Sequence, residues 1–214
     1  VNPRAFDAAF PQPLLGMDEV GLGCIAGPIV VAGAVLPAHD RSFIDHLVQM
    51  GLQDSKQMTA PRREAVLEFL DGHPDVWLEV LQCGVEHKGV MWLRTSGLFS
   101  RIAASYTDDT RSAPATVLID GEKRADLGFK HLTIVKGDVR SLTIAAASVA
   151  AKVLRDRWMR ALPDPGYGFS QHKGYPTKQH KRALMRLGPS PVHRLWTRPV
   201  IAARRQHLEG GASA

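Results

Sequence analysis

The chain has 214 residues, 44% hydrophobic and 22% charged, with 27 Lys and Arg against 21 Asp and Glu for a formal net charge of +6. That composition excludes a disordered or fibrous chain, no run reaches the length of a membrane span, and the size allows one core with a small appended subdomain. Cys24 and Cys83 form neither a ligand pair nor a disulfide framework, and Val1-Asn2-Pro3-Arg4 opens no signal-peptide core, so a cytoplasmic protein is expected.

Five short apolar segments rich in Val, Ile or Leu read as strands: Leu14 to Glu19, Ile29 to Leu36, Val76 to Cys83, Thr116 to Asp120, and His131 to Val135. Between them, Thr59 with Pro61 marks a helix start, Ala65, Val66, Phe69 and Leu70 form its apolar stripe, and Gly72 and Pro74 stop it. A second helix is expected from Gly89 to Tyr106, carrying Val90, Leu93, Leu98 and Ile102. A long one follows from Ser141 to about Leu162, whose run Ala145-Ala146-Ala147-Ser148 lets it lie close to a sheet. After the turn Pro163-Asp164-Pro165-Gly166, helices are expected at Thr177 to Leu187 and Val192 to Gln206, with the end from Gly210 frayed. The order gives an α/β core over 1–165 and a helical subdomain over 166–214.

The charge is uneven. Through Ala150 there are 14 Lys and Arg against 18 Asp and Glu, and beyond it 13 against 3. Lys173, Lys178, Lys181, Arg182, Arg186, Arg194 and Arg198 surround Tyr167, Phe169, Tyr175 and Trp196, a mixture suited to neutralising phosphates and equally compatible with an ordinary solvated helix face.

Four acids sit where strands end. Asp18-Glu19 closes the first strand, Asp120 closes the fourth, and Asp138 follows the fifth across Lys136-Gly137. Singly, each is most simply a turn former or helix cap. Together they make an all-oxygen set suited to Mg²⁺ or Mn²⁺ rather than zinc. Side chains alternate along a strand, so Asp18 and Glu19 share a site only at a strand end, bulge or bend. Downstream, Gly21-Leu22-Gly23-Cys24-Ile25-Ala26-Gly27-Pro28 reads either as a tight turn or as a loop whose amides approach a ligand. It is neither a P-loop nor a dinucleotide fingerprint.

In order along the chain, these segments resemble the type 2 ribonuclease H (ribonuclease HII) family from about Gly16 to Val200. Gly16-Met17-Asp18-Glu19-Val20-Gly21-Leu22-Gly23 is similar to the family's Gly-x-Asp-Glu-x-Gly-Arg-Gly opening. Asp54-Ser55-Lys56, Asp120-Gly121 and Lys136-Gly137-Asp138 follow, then Ile144 to Val153 with Arg155-Asp156. Tyr167-Gly168-Phe169, His172-Lys173-Gly174-Tyr175, Thr177, Gly188-Pro189-Ser190 and His193-Arg194 complete the pattern.

The resemblance implies an RNase H-like mixed sheet flanked by helices, acting on RNA/DNA hybrids and on single ribonucleotides embedded in duplex DNA. It implies cleavage 5′ to the ribonucleotide, leaving 3′-hydroxyl and 5′-phosphate ends. The acidic set carries over to Asp18, Glu19, Asp120 and Asp138 as holders of two Mg²⁺ or Mn²⁺ ions. Gly21, Leu22 and Gly23 would read the ribose 2′-hydroxyl through their amides, Tyr175 would stack on the next sugar, and Lys56, His172, Lys173 and Arg194 would meet phosphates. Two positions depart from the pattern, Leu22 in place of the arginine and Gln57 in place of a second lysine. The first removes a guanidinium beside the scissile strand and, with the basic C-terminal third, keeps in view a weakened or non-catalytic hybrid-binding protein; a nuclease of similar fold acting on DNA is a separate alternative. A monomer is the starting expectation, with recruiting protein partners left open by the sequence.

Overall fold

The computed structural model describes residues 2–52, 55–85, 91–122 and 127–211. Asp54 of the Asp-Ser-Lys segment and the expected helix start at Gly89 and Val90 lie outside these residues, as does the side chain of Leu93. The elements run α1 Pro3–Asp7, β1 Leu14–Val20, β2 Ile29–Val35, α2 Arg41–Gln49, α3 Ala60–Asp71, β3 Trp77–Cys83, α4 Met91–Thr110, β4 Thr116–Asp120, β5 Leu132–Ile134, α5 Gly137–Arg140, α6 Leu142–Ala161, α7 Phe169–His172, α8 Lys178–Leu187 and α9 Arg198–Gly211.

The strands form one mixed sheet in the order β3-β2-β1-β4-β5. β1, β2 and β3 make an antiparallel meander, with Leu15 opposite Val35 and Val31 opposite Leu81, while β4 and β5 add in parallel on the other side of β1. The fold class is therefore the expected mixed sheet flanked by helices.

The period-two alternation of β1 and β2 sorts their side chains between two cores. Val20, Val30, Ala32 and Ala34 pack with α2, α3 and the alanines of α6; Leu15, Met17 and Val31 pack with Leu98, Phe99 and Ile102 of α4. Gly16 is where α6 crosses the sheet: a β-carbon there would lie 2.6 Å from the Ile144 amide nitrogen, so only glycine admits the helix backbone so closely. The start of α6 is doubly capped, by the Ser141 hydroxyl accepting from the Ile144 amide and by the Asp7 carboxylate accepting from the Thr143 amide and hydroxyl.

Beyond α6 a third core gathers Tyr167, Phe169, Ala183, Leu184, Val200 and Ala203 and reaches back to Met159 of α6 and to Ile25 and Ala26 of the glycine loop. The Asp164 carboxylate folds the preceding turn by accepting from the amides of Gly166, Tyr167, Gly168 and Phe169.

Some elements differ from the sequence expectation. The last helix begins at Arg198 rather than Val192, because Pro199 lacks an amide hydrogen and is tolerated only in a first turn; residues 192–197 instead lie against the glycine loop through the Ala26–His193 bridge. That helix runs to Gly211, and the rest of the end expected to fray, residues 212–214, lies outside the described residues. α4 continues past Tyr106 to Thr110. α2 was not anticipated, although Asp40 caps it by accepting from the Phe43 amide, and Phe43, Ile44 and Leu47 bury its inner face. Among the described residues no helix is long and apolar enough to cross a membrane.

Candidate active site

β1 and β4 run parallel in a register that pairs Met17 with Ile119, so the next residues, Asp18 within β1 and Asp120 at the end of β4, lie side by side. Gly16 and Val20 face α6, which puts Asp18 on that face, and Leu118 packs toward Ile144 of the same helix, which puts Asp120 there too. Asp138 arrives from α5, immediately before α6. One carboxylate oxygen from each of Asp18, Asp120 and Asp138 lies within 4.8 Å of the others.

The surroundings hold each acid in place. The Asp120 carboxylate accepts from the Gly137 amide at 2.6 Å, and a β-carbon at Gly137 would lie 2.7 Å from Ile144 Cδ1 and 3.1 Å from Asp120 Oδ1, so the α5 turn closes tightly on the strand end. Asp18 accepts from the Glu19 amide at 2.7 Å and from the Ser148 hydroxyl of α6. Ser148 lies 3.0 Å from the buried Ser55 hydroxyl, which ties the Ser55-Lys56 segment to the same network. The Lys56 ammonium stands 3.7 Å from the Asp138 carboxylate.

Burial, with the negative charges of Asp120 and Glu19 beside it, holds the Asp18 carboxyl well above the usual carboxylate range despite the Ser148 and Glu19 donors. Three acids converging at buried or half-buried positions repel one another, and a divalent cation relieves that repulsion while satisfying their lone pairs. An all-oxygen set of this kind fits a hard cation. Glu19 is placed differently from the other three. β1 is regular through Val20, with no bulge between Asp18 opposite Ala32 and Glu19 opposite Val31, so Glu19 projects to the α4 side at half burial while still acting electrostatically on Asp18.

The glycine loop, residues 21–28, follows directly. Gly21 has φ +104°, and a β-carbon there would lie 2.4 Å from Arg155 Nε; at Gly23 it would meet nothing within 4 Å. Leu22 packs against the α4 core. Tyr175 is half-buried, with Lys152 Nζ 5.8 Å and Arg155 Cζ 5.9 Å from its ring centre, and burial pushes its phenol up. Lys173 is half-buried and its ammonium donates to the Ser170 carbonyl; burial lowers it.

Two expected phosphate contacts are not at the surface. Arg194 is 1% exposed and gives its guanidinium to the carbonyls of Gly27, Leu22 and Cys24. His172 is buried, with Nε2 on the Tyr167 carbonyl and Nδ1 accepting from the Gly174 amide. Both ring nitrogens and the guanidinium are spent on backbone, as burial of a polar group requires, so neither side chain reaches a phosphate from this position. Sequence reasoning gave no role to Ser148 or Arg155. The signal was available in α6, where a hydroxyl and a guanidinium interrupt a face otherwise made of Ala, Val and Ile.

The ribonuclease HII family model matches residues 15–200. The chain belongs to the ribonuclease HII family. It is 40% identical to ribonuclease HII of Nitrobacter winogradskyi over 94% of this chain and 76% of that one, and 36% identical to the Corynebacterium jeikeium ribonuclease HII over 97% of each. Among solved structures it is similar to ribonuclease H2 from Pyrococcus horikoshii OT3, with TM-score 0.71, 23% identity, and 92% and 99% of the two chains covered. It is also similar to Bst-RNase HIII in complex with Mn²⁺, with TM-score 0.66, 19% identity, and 98% and 73% covered. As a ribonuclease HII, the chain is a type 2 ribonuclease H, an endonuclease degrading RNA in RNA/DNA hybrids, and its converging Asp18, Asp120 and Asp138 are compatible with a divalent-metal site.

Proposed function

We propose that the protein incises duplex DNA on the 5′ side of single embedded ribonucleotides, as well as hydrolysing longer hybrids, leaving 3′-hydroxyl and 5′-phosphate ends. The observation that carries this reading is the placement of three carboxylates within 4.8 Å of one another beside a glycine loop that is open to approach at Gly23. Asp18, Asp120 and Asp138 would hold Mg²⁺ or Mn²⁺, while Glu19, on the opposite face, would act on Asp18 through its charge. When bound, two such ions activate water and stabilise the departing 3′ oxygen.

The protein's own groups then divide the work. Asp120 is fixed by the Gly137 amide and Asp18 by Ser148 and the Glu19 amide, so the carboxylates need little reorganisation. The amides of Leu22 and Gly23 donate to no protein acceptor among the described residues, leaving them for a ribose 2′-hydroxyl. Gly21, with positive φ, turns the chain into that loop. Tyr175 would stack on the following sugar, and Lys56 and Lys173 would neutralise phosphates. In this reading residues 1–165 form the catalytic core, residues 166–214 a basic nucleic-acid-binding subdomain, and the protein works as a monomer in the cytoplasm.

The test is incision of a duplex carrying one ribonucleotide, with Mg²⁺ or Mn²⁺, beside an all-DNA duplex and the Asp138→Asn variant. Cleavage 5′ to the ribonucleotide, absent from the all-DNA duplex and from the variant, is the expected result. Binding without cleavage under either metal would overturn the catalytic reading, and equal cleavage of all-DNA duplex would make the protein a DNA nuclease.

A further inference from the structure

The glycine loop is held by two buried arginines from different parts of the chain. Arg155, in the middle of α6 and 0% exposed, donates through Nε to the Pro28 carbonyl, Nη2 to Ala26 and Nη1 to Lys173, at 3.0, 3.2 and 2.9 Å. Arg194 donates through Nε and Nη2 to the Gly27 carbonyl and through Nη1 to those of Leu22 and Cys24, at 2.8 to 3.2 Å. Among the described residues neither arginine pairs with a carboxylate. Two guanidiniums have thus been desolvated to collect backbone carbonyls, a costly way to fill space that an apolar side chain would fill more cheaply.

The remaining backbone groups complete the arrangement. The Ile25 carbonyl accepts from the Arg194 amide, and the Ile25 and Gly27 amides donate to the carbonyls of Gly174 and Val192. The Cys24 amide donates within the loop to the Gly21 carbonyl, so at the Leu22-Gly23 tip both amides are left without an acceptor among the described residues, as are those of Gly21 and the buried Ala26. Arg155 also joins the loop to the Tyr175 segment, since it holds Ala26 and Pro28 with two nitrogens and Lys173 with the third. The two backbones are in contact there: a β-carbon at Gly174 would lie 2.3 Å from the Ala26 carbonyl oxygen.

We propose that Arg155 and Arg194 are positioning residues that determine specificity, turning the amides of Leu22 and Gly23 outward and fixing their spacing from Tyr175. The inference rests on the proposed reading of ribose by this loop. Lysine keeps the charge but cannot serve several carbonyls in the fixed directions of a guanidinium.

The experiment compares wild type with Arg194→Lys and Arg155→Lys on two duplexes of one sequence, all-DNA or with a single ribonucleotide. Affinity is measured without divalent metal and steady-state incision with Mg²⁺. The expected result is a KM for the ribonucleotide duplex raised roughly 10- to 100-fold, the loss of a small set of hydrogen bonds. The kcat should stay within about threefold and the affinity for all-DNA duplex should be unchanged. A wild type that prefers the ribonucleotide duplex, with variants keeping the same preference ratio, overturns the clamp and leaves the function standing. A wild type without preference overturns both. Should either variant fail to fold, amide hydrogen exchange on the wild type decides: Ile25 and Gly27 should be protected as in the core strands, while Leu22 and Gly23 exchange quickly until the ribonucleotide duplex is added. Exchange at Ile25 and Gly27 as fast as at Leu22 would show that nothing holds the loop.

Discussion

Gly21 and Gly23 lie two positions apart in one loop and are glycine for different reasons. A β-carbon at Gly21 would meet Arg155 Nε at 2.4 Å and the Pro28 carbonyl at 2.8 Å, in a left-handed conformation, whereas at Gly23 it would project into open space. Gly21→Ala should therefore destabilise the protein by about 2 kcal/mol or more, through strain and displacement of a buried guanidinium. Gly23→Ala should leave thermal stability within about 0.5 kcal/mol while weakening binding of a ribonucleotide-containing duplex about tenfold, because the added methyl occupies the side from which a sugar would approach. Paired thermal melts and binding titrations check this. Equal loss of stability in both variants would mean that Gly23 serves the fold alone.

Leu22 stands where the family pattern has arginine, and its side chain packs against the α4 core while its carbonyl is held by Arg194. Backbone position is thus maintained independently of the side chain. Leu22→Arg should gain about 1–3 kcal/mol of duplex affinity from one charge-assisted phosphate contact. The slope of log affinity against log salt should steepen by about 0.9, the signature of one further neutralised phosphate. Lost packing should lower stability by about 1 kcal/mol. Unchanged affinity and salt slope would show that position 22 does not face the nucleic acid.

The strands, the capped start of α6 and the positions of Asp18, Asp120 and Asp138 were legible because each rests on local pattern: apolar runs of strand length, Ser141 before an apolar stretch, acids at the ends of such runs. What local pattern could not supply was burial of charge. Arg194 and His172 read as surface groups because basic and imidazole side chains usually are, and only the Ala26–His193 bridge and the packing of Gly174 on Ala26 bring them under the loop. Glu19 shows the same limit in reverse: the regular pairing of β1 places it on the face opposite its neighbour.

The convergence of Asp18, Asp120 and Asp138 makes stability and activity move in opposite directions. Asp18→Asn removes one negative charge from a buried cluster while keeping an oxygen to accept from Ser148 and the Glu19 amide, so the metal-free protein should melt at a higher temperature. Activity should fall at least about 100-fold, since even changes one shell removed from a metal cost 10- to 100-fold in metal affinity or activity. Adding Mn²⁺ should raise the wild-type melting temperature and raise that of the variant less. A metal-free variant no more stable than wild type would show that the three acids are not in repulsive contact.

His180 and His193 lie in the buried network beneath Tyr175. The His180 Nδ1–H donates to the Tyr175 carbonyl at 2.8 Å, which leaves Nε2 to accept at 3.1 Å from His193 Nε2–H; His193 Nδ1 in turn accepts from the Ser190 amide at 3.0 Å. A proton added to His180 would set two N–H groups against each other. Burial lowers both imidazoles to about 4; His172 further disfavours charge on both and His180 on His193, while the Tyr175 carbonyl and then Asp164 oppose the shift at His180 and Ser190 opposes it at His193. The unfolded histidines titrate near 6.5, so between about 6.5 and 4 the unfolded chain binds more protons than the folded one, and acid favours unfolding through that window. Each histidine can contribute up to about 3 kcal/mol of that loss. His180→Gln should cost stability at pH 8 through imperfect replacement of the two hydrogen bonds, yet flatten the decline between pH 6.5 and 4. Chemical denaturation across that range is the check, and a wild-type midpoint that does not fall from pH 7 to pH 5 would refute the neutral histidine pair.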